Sequence, residues 1–382
     1  MHKHYLWRLG AITLLGLSLT TCKKHDDVCD ENAPATVTVF ATGLNNPRGL
    51  KFGPDRQLYV AEAGTGGTNS TEGQCLQVPA PVGPFLGSTT GGRISLINAA
   101  GVRFTVNDQL PSARGGGGNG DIVGVADVAF IDHKLYALIS GAGCSHGVPS
   151  IPNSIVRINT NNQWEQVANL SRFITNNPVE NPPEGDFEPD GDWYSMINVN
   201  SQLYTVEANS GQLNKVSTDG DIRRIVDFSA LEGHVVPTVV AYRDGYFYVG
   251  NLNTFPIVEG SSKIWRISPG GEVQEWATGF TTILGLTFDN RGNLYVLENT
   301  VGAQFPTPGL GRIVRVNQSR NKQVIATGLS LPTGITYGPD GHLYVSNVGF
   351  GPTGIGGGQV LKVTLNNCDC EDDDTHKVDA KG

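Results

Sequence analysis

Charge is scarce in this chain, and basic charge scarcer still. Asp, Glu, Lys and Arg make up 16% of its 382 residues, and the formal net charge is −9. Gripping a nucleic-acid backbone needs a basic patch, so that class is excluded; cations and neutral ligands suit an acidic surface. No apolar run reaches the ~20 residues of a membrane span. No GxSxG, HExxH or Walker loop occurs, and the few cysteines do not form a nucleophile–His pattern. The glycine run around Gly116 lacks the strand–helix context of a phosphate cradle. Helical periodicity is scarce beyond the N-terminus. What is abundant is glycine, 50 residues with no Gly-X-Y period; this excludes collagen and indicates many tight turns between short strands.

The N-terminus is read as an export segment. Lys3 and Arg8 precede a short apolar stretch at 9–19, and Leu19-Thr20-Thr21-Cys22 follows it. This arrangement resembles a lipobox, with Thr21 in place of the usual small residue, and Cys22 is the expected lipidation site. The alternative is an ordinary secretory signal with an unrelated Cys. Export implies an oxidising compartment, so the five cysteines after Cys22 are read first as disulfide formers. Five is odd, so at least one thiol has no partner within the chain. Cys368-Asp369-Cys370 could bind zinc, but no second pair or His cluster accompanies it.

A repeat organises the rest. Leu58-Tyr59-Val60 returns as Leu135-Tyr136-Ala137, Leu203-Tyr204-Thr205, Phe247-Tyr248-Val249, Leu294-Tyr295-Val296 and Leu343-Tyr344-Val345. The last four copies are spaced by 44, 47 and 49 residues; the first two intervals, 77 and 68, carry insertions. Each copy is preceded by an apolar strand and a polar Asp/Gly/Asn turn, and followed by an alternating strand such as Ile313-Val314-Arg315-Val316. Four short strands per 40–50 residues is the propeller signature. The expected fold is all-β, a six-bladed β-propeller.

The phrase Ala-Thr-Gly-Phe/Leu ends the fourth strand of two repeats, at Ala277 and Ala326. It also occurs at Ala41-Thr42-Gly43-Leu44, before any first strand, while the last repeat stops after its third strand near Leu365. The N-terminal strand is therefore expected to complete the last blade, which removes exposed edges. A bridge from Cys29 to Cys368 or Cys370 would pin that closure. Cys75 and Cys144, in corresponding loops of blades 1 and 2, form the second expected bridge. The expected organisation is a lipoprotein signal peptide (1–21), a polar tether (22–35), the propeller (36–366) and an acidic tail (367–382). Residues 63–91 and the acidic, Pro-rich 176–192 read as long loops without secondary structure.

The second strands end near the central channel, where each blade offers Glu62, Ile139, Glu207, Asn251, Glu298 or Asn347. Five of these six are oxygen donors suited to Ca²⁺ or another divalent cation. The alternative is that each caps its own turn through local backbone bonds. First strands begin on the same face and add Arg48, Asp127, His234, Thr238, Thr282 and Thr333, with His146 in a blade 2 loop. His146 and His234 are candidate bases or ligands, or simply solvated.

With these residues in view, the chain resembles the ScyD/ScyE family of exported proteins and, more loosely, NHL-type six-bladed propellers. The resemblance rests on ATGLNNPRGLKFGPD (41–55), LYVAEAGTGG (58–67), GRISLI (92–97), GAGCSHG (141–147), GHVVPT (233–238), YVGNL (248–252) and PTGITYGPDGHLYVSN (332–347), and covers about 36–365. It implies an exported role in small-molecule maturation. A more distant likeness is to gluconolactonase and paraoxonase propellers, which implies a channel cation held by Glu62, Asn251, Glu298 and Asn347.

Three functions follow as expectations. The first is a monomeric propeller, lipid-anchored to a bacterial membrane in the periplasm or at the cell surface, that binds a small molecule or protein on its loop-rich face. The second is a divalent-cation-dependent hydrolase using the channel. The third is a structural module, the reading a plugged channel would favour.

Overall fold

The computed structural model describes residues 34–116 and 120–366. Cys22, Cys29, Cys368 and Cys370, with the export segment, most of the tether and the tail, lie outside the described residues.

Six antiparallel sheets circle one axis. The described chain enters on β1 (Thr36–Leu44). Blade 1 follows as β2 (Pro47–Phe52), β3 (Leu58–Glu62), β4 (Phe85–Ile97), β5 (Arg103–Gly115) and the short β6 (Ile122–Val123). Blade 2 is β7 (Val125–Ile131), β8 (Lys134–Ile139), β9 (Ser154–Ile158) and β10 (Trp164–Asn169), with α1 (Leu170–Asn176) after it. Blade 3 is β11 (Trp193–Val199), β12 (Gln202–Glu207), β13 (Gln212–Val216) and β14 (Ile222–Asp227), followed by α2 (Phe228–Glu232). Blade 4 is β15 (Pro237–Arg243), β16 (Tyr246–Asn251), β17 (Ser262–Ile267) and β18 (Val273–Phe280). Blade 5 is β19 (Ile283–Phe288), β20 (Leu294–Glu298), β21 (Gly311–Val316) and β22 (Lys322–Leu329). Blade 6 is β23 (Gly334–Tyr337), β24 (Leu343–Asn347) and β25 (Gly358–Thr364), completed by β1.

The closure expected from the repeated phrase is thus formed. β1 lies antiparallel to β25, with Thr36 opposite Thr364 and Leu44 opposite Gly358. Both ends of the ring therefore meet at its turn-rich face, the face of the short hairpins within each blade. The longer loops and the links between blades share the opposite, loop-rich face.

The core is divided among the interfaces between blades. Each of the six junctions holds its own apolar cluster; Leu50, Leu58, Val60, Tyr344 and Val360 close the one between blades 6 and 1. Inner strands are covered on both sides, so β20 and β24 are buried throughout, whereas β21 alternates. The repeated tyrosine has a local reason. Tyr59, Tyr295 and Tyr344 donate to Asp55, Asp289 and Asp340 of the preceding turn at 2.9, 3.1 and 2.9 Å. The same aspartates accept from turn backbone, as Asp289 does from the N–H groups of Arg291 and Asn293.

Residues 63–91 depart from the expected structureless loop. β4 begins at Phe85 and runs with β5 as a long two-stranded extension, in which Phe85 faces Gly115 and Ser88 faces Ser112. Glycines and hydroxyls there hid a strand whose apolar side, Phe85 and Ala113 with Val78, forms a small cluster of its own outside the blade interfaces. The segment between Asn176 and Trp193 carries no strand or helix, as expected, although α1 precedes it.

Cys75 and Cys144 form the expected disulfide, linking loops 69 residues apart in sequence. Closing a loop of that length in the unfolded chain is worth about 4 kcal/mol. Cys75→Ser is therefore expected to lower the free energy of urea unfolding by up to that amount. A loss below ~1 kcal/mol would mean that local bonds, such as Asn69 Nδ2 to Gly147 O at 2.6 Å, hold the loops unaided.

Candidate functional site

The channel is closed. The first strands of each blade approach so nearly that a Cβ on Gly49 would lie 1.9 Å from Asp127 Oδ1, and one on Gly334 2.5 Å from Arg48 O. The void left at the axis is ≈ 20 Å³, lined by Lys51, Asp127, Tyr194 and Leu286 among others, room for about one water. Hydroxyls stitch these strands together. Thr333 donates to Pro47 O at 2.6 Å and Thr238 to Ile283 O at 2.5 Å, while Thr282 ties the entry of blade 5 to the loop after its own second strand by donating to Thr300 O at 2.8 Å. Asp127 accepts from Met196 N–H at 2.8 Å and Val128 N–H at 2.9 Å, with Lys51 Nζ 3.8 Å away. Burial raises its pKa against the pull of those partners.

The five oxygen donors that could have formed a cation site do not converge; they are clips. Glu62 accepts from Asn45 N–H at 2.6 Å, Glu207 from Asp192 N–H at 3.0 Å, Glu298 from Thr281 N–H at 2.5 Å and Asn347 from Ser330 N–H at 2.9 Å. Each donor is on the link leading into the same blade, so the end of the second strand clamps the entry of the first. Asn251 does the same in reverse, donating to Val235 O at 2.8 Å while accepting from Lys263 N–H at 2.8 Å. The third strand completes the clip. Arg93 grips Glu62 at 2.9 and 2.5 Å, Arg312 grips Glu298 at 2.5 and 3.2 Å, and Gln359 faces Asn347 at 3.2 Å. With their lone pairs spent in this way, the five do not fit a shared cation. Among the described residues no three His, Cys, Asp or Glu side chains gather closely enough to hold a metal ion. The contacts these side chains make are those of the alternative reading, turn capping. One signal for it was in the sequence: Arg93 and Arg312 lie on the third strands of blades 1 and 5, both of which end the second strand in Glu, while the Asn347 blade has Gln359 on its third strand.

The ionisable groups that do come together lie at the mouth of the ring on the loop-rich face. Arg48, 6% exposed, donates to Ile122 O at 2.6 Å and Asp121 Oδ1 at 3.2 Å, with its guanidinium 6.0 Å from the Tyr194 ring centre. Burial disfavours its charge, but Tyr194, Asp121 and Asp192 outweigh that and raise its pKa. The acidic segment folds over this mouth. Its carboxylates alternate, at Glu184, Asp186, Glu188, Asp190 and Asp192, and four of them have partners in blades 2 and 4. Asp186 meets His234 Nε2 at 3.0 Å; Asp190 accepts from Ser145 Oγ at 2.7 Å; Asp192 accepts from Ser140 Oγ at 3.1 Å. Glu188 lies 3.8 Å from His146 Nε2. His146 is buried against Phe85, 4.7 Å between ring centres, and burial lowers its pKa to about 4, leaving it neutral. Asp121, Glu188, Asp192 and Tyr194 escaped the reading of the sequence, although the alternate spacing of the acids was visible.

Burial first, and crowding second, set the protonation here. Burial, then the charges of Asp121 and Glu207, push Asp192 up to about 7. Burial, then Asp192 and Glu207, push Glu188 well above the usual carboxylate range. Burial likewise raises Glu207, against its bonds from Ser210. A carboxyl near 7 when folded and near 4 when unfolded adds stability that is complete below about pH 4 and lost as pH rises through 7. His146 acts oppositely, its share present above about pH 6.5 and lost as pH falls through 4. Asp192→Asn is expected to raise stability by about 1–3 kcal/mol at pH 8 and by little at pH 4.5, read from urea midpoints at both values. Equal effects at the two values would refute the assignment.

The same face holds an open cleft of ≈ 610 Å³ between blades 1 and 2, lined by Gly66, Gly67, Asn69, Gly87, Thr89 and Ser150 among others and by no ionisable group.

No family model and no curated protein matches this chain. Solved structures do share the fold of a six-bladed β-propeller. One, from Bacteroides thetaiotaomicron VPI-5482 and of unknown function, is 11% identical, with TM-score 0.54, covering 86% of this chain and 76% of that one. Another, a gluconolactonase from Xanthomonas campestris, is 10% identical with TM-score 0.53 over 90% of this chain and 93% of that one. A third, an oxidoreductase described as a glucose dehydrogenase from Thermus thermophilus, is 17% identical with TM-score 0.52 over 86% and 99%.

Proposed function

We propose that this chain is an exported monomeric propeller that recognises a ligand or partner protein on its loop-rich face, joined to a bacterial membrane by a lipid on Cys22, as its lipobox-like N-terminus implies. One observation carries this reading: the two faces differ. Of the fourteen large apolar side chains exposed among the described residues, eight stand on the loop-rich face: Leu76, Val82, Phe187, Leu231, Phe255, Val258, Phe305 and Ile355. The turn-rich face has Val102 and Tyr246; the rest lie on outer strands. Apolar loop tips exposed together on one face mark an interaction surface. The filled channel suits a structural module as well; within the binding reading it leaves the loop surface rather than a pore as the binding element.

The cation-dependent hydrolase reading has the gluconolactonase neighbour's fold in its favour, but it would need Glu62 and Glu298 freed from Arg93 and Arg312.

Site-specific photocrosslinking in exporting cells tests the proposal. A photoreactive residue at Phe305 is expected to give a discrete adduct, and one at Tyr246 none. Adducts from Tyr246 alone would overturn it.

A further inference from the structure

We propose that the occupant of the loop-rich face is a protein segment carrying both a basic side chain and an aromatic or branched aliphatic one, the base over the acidic mouth and the apolar residue on the Phe255–Phe305 pair. This rests on the binding reading above and adds the chemistry of the partner.

The apolar half is a formed platform. Phe255 and Phe305 come from loops of adjacent blades, are 47% and 60% exposed, and stack with ring centres 6.3 Å apart and planes 25° from parallel. Ile257 N–H to Gln304 O at 2.8 Å ties the two loops together, and Val258, 63% exposed, extends the surface. A paired, pre-positioned aromatic surface costs little to order on binding.

The charged half is open to a cation. Side chains of Asp121, Asp186 and Glu188 are 32%, 51% and 13% exposed, while Arg48, at 7%, is committed to Asp121 and Ile122 O. Charge complementarity selects a basic group. The acids belong to blades 1–3 and their links, the phenylalanines to blades 4 and 5, so an occupant touching both spans the face, the reach of a peptide rather than of a small cation. A second copy of this chain would set acid against acid across a two-fold contact. An anionic lipid surface would be repelled by the same acids.

The groups facing Glu188 and Asp192 are Arg48, Tyr194, Asp121, Asp186, Glu207, His146 and Ser140. Burial, and then the charges of neighbouring carboxylates, hold protons on those two carboxyls; an arriving ammonium or guanidinium favours their ionised forms. Binding therefore releases protons and tightens as pH rises from 6 to 8.

The experiment is selection of a random twelve-residue peptide library on the purified full chain, with affinities of the enriched peptides measured by calorimetry. Enriched peptides are expected to combine Lys or Arg with an aromatic or branched residue. Their affinity should fall at least tenfold in Phe255→Ala/Phe305→Ala and in Asp121→Asn/Glu188→Gln, rise with pH, and be unchanged in Tyr246→Ala. The surface variant Asp186→Lys, at a side chain 51% exposed, should shift preference to Glu-bearing peptides. Enrichment of neutral or acidic peptides that still need Phe255 and Phe305 would overturn this inference while leaving the loop-rich face as the binding surface. Binders lost only in Tyr246→Ala would overturn both. No enrichment, self-association in sedimentation, or binding instead to phosphatidylglycerol vesicles would each overturn the proposed partner.

Discussion

A chain lacking residues 36–44 is expected not to fold into a cooperative unit. β1 supplies the fourth strand of blade 6, and Ala41 and Leu44 contribute to the cluster that joins blades 6 and 1. Phe40 meets the Tyr344 ring edge-on at 5.1 Å. The turn after β1 adds Asn46 N–H to Gly354 O at 2.9 Å and a bond from Gly356 N–H to Asn45 Oδ1 at 2.8 Å. Without β1, β25 becomes an open edge that invites intermolecular pairing, and the junction of blades 6 and 1 loses the apolar groups of Ala41 and Leu44. Urea unfolding followed by near-ultraviolet circular dichroism should show no native baseline. The milder Leu44→Ala, at a site with 0% exposure, should cost about 2–5 kcal/mol. A shortened chain with a sharp, native-like transition would refute the closure as a determinant of stability.

Glu62→Gln is the second large effect. The carboxylate is fully buried, and its ion-pair partner Arg93 has a side chain only 16% exposed. Ser95 Oγ and Asn45 N–H also donate to it. Removing one member of such a pair strands the other's charge, at a cost of about 3–5 kcal/mol. Glu298→Gln should cost less, because Arg312 is 26% exposed and can turn to water. The double variant Glu62→Gln/Arg93→Met should recover part of the loss, since a stranded charge then no longer exists. Measuring divalent-cation uptake on the same proteins separates the two roles once given to Glu62. Loss of stability with no change in uptake is expected; abolished uptake with stability intact would restore the cation site.

The disulfide is smaller in effect but shows how far position in a repeat can be read. Cys75 and Cys144 occupy corresponding loops of neighbouring blades, and that correspondence sufficed to pair them. The two glutamates show the opposite case. Position at the end of a second strand located Glu62 and Glu298 on the correct face but could not give their direction. That depends on the partner across the sheet: Glu62 lies opposite Arg93 and Glu298 opposite Arg312, and the arginine draws the carboxylate into its own blade.

By itself, the sequence determined the number of blades, the strand grammar within each and the joining of head to tail. These follow from local signals, namely turn residues that permit a tight hairpin, alternation along third strands, and the Ala-Thr-Gly phrase displaced to the start of the chain. Only the tertiary structure decided three other things. Gly49 and Gly334 let the inner strands close the axis. The alternating acids of the 177–192 segment fold back over the mouth beside Arg48. Phe255 and Phe305, 50 residues apart, meet as one surface. Each depends on contacts between segments distant in sequence, where packing around the ring sets direction and distance and no local pattern records them.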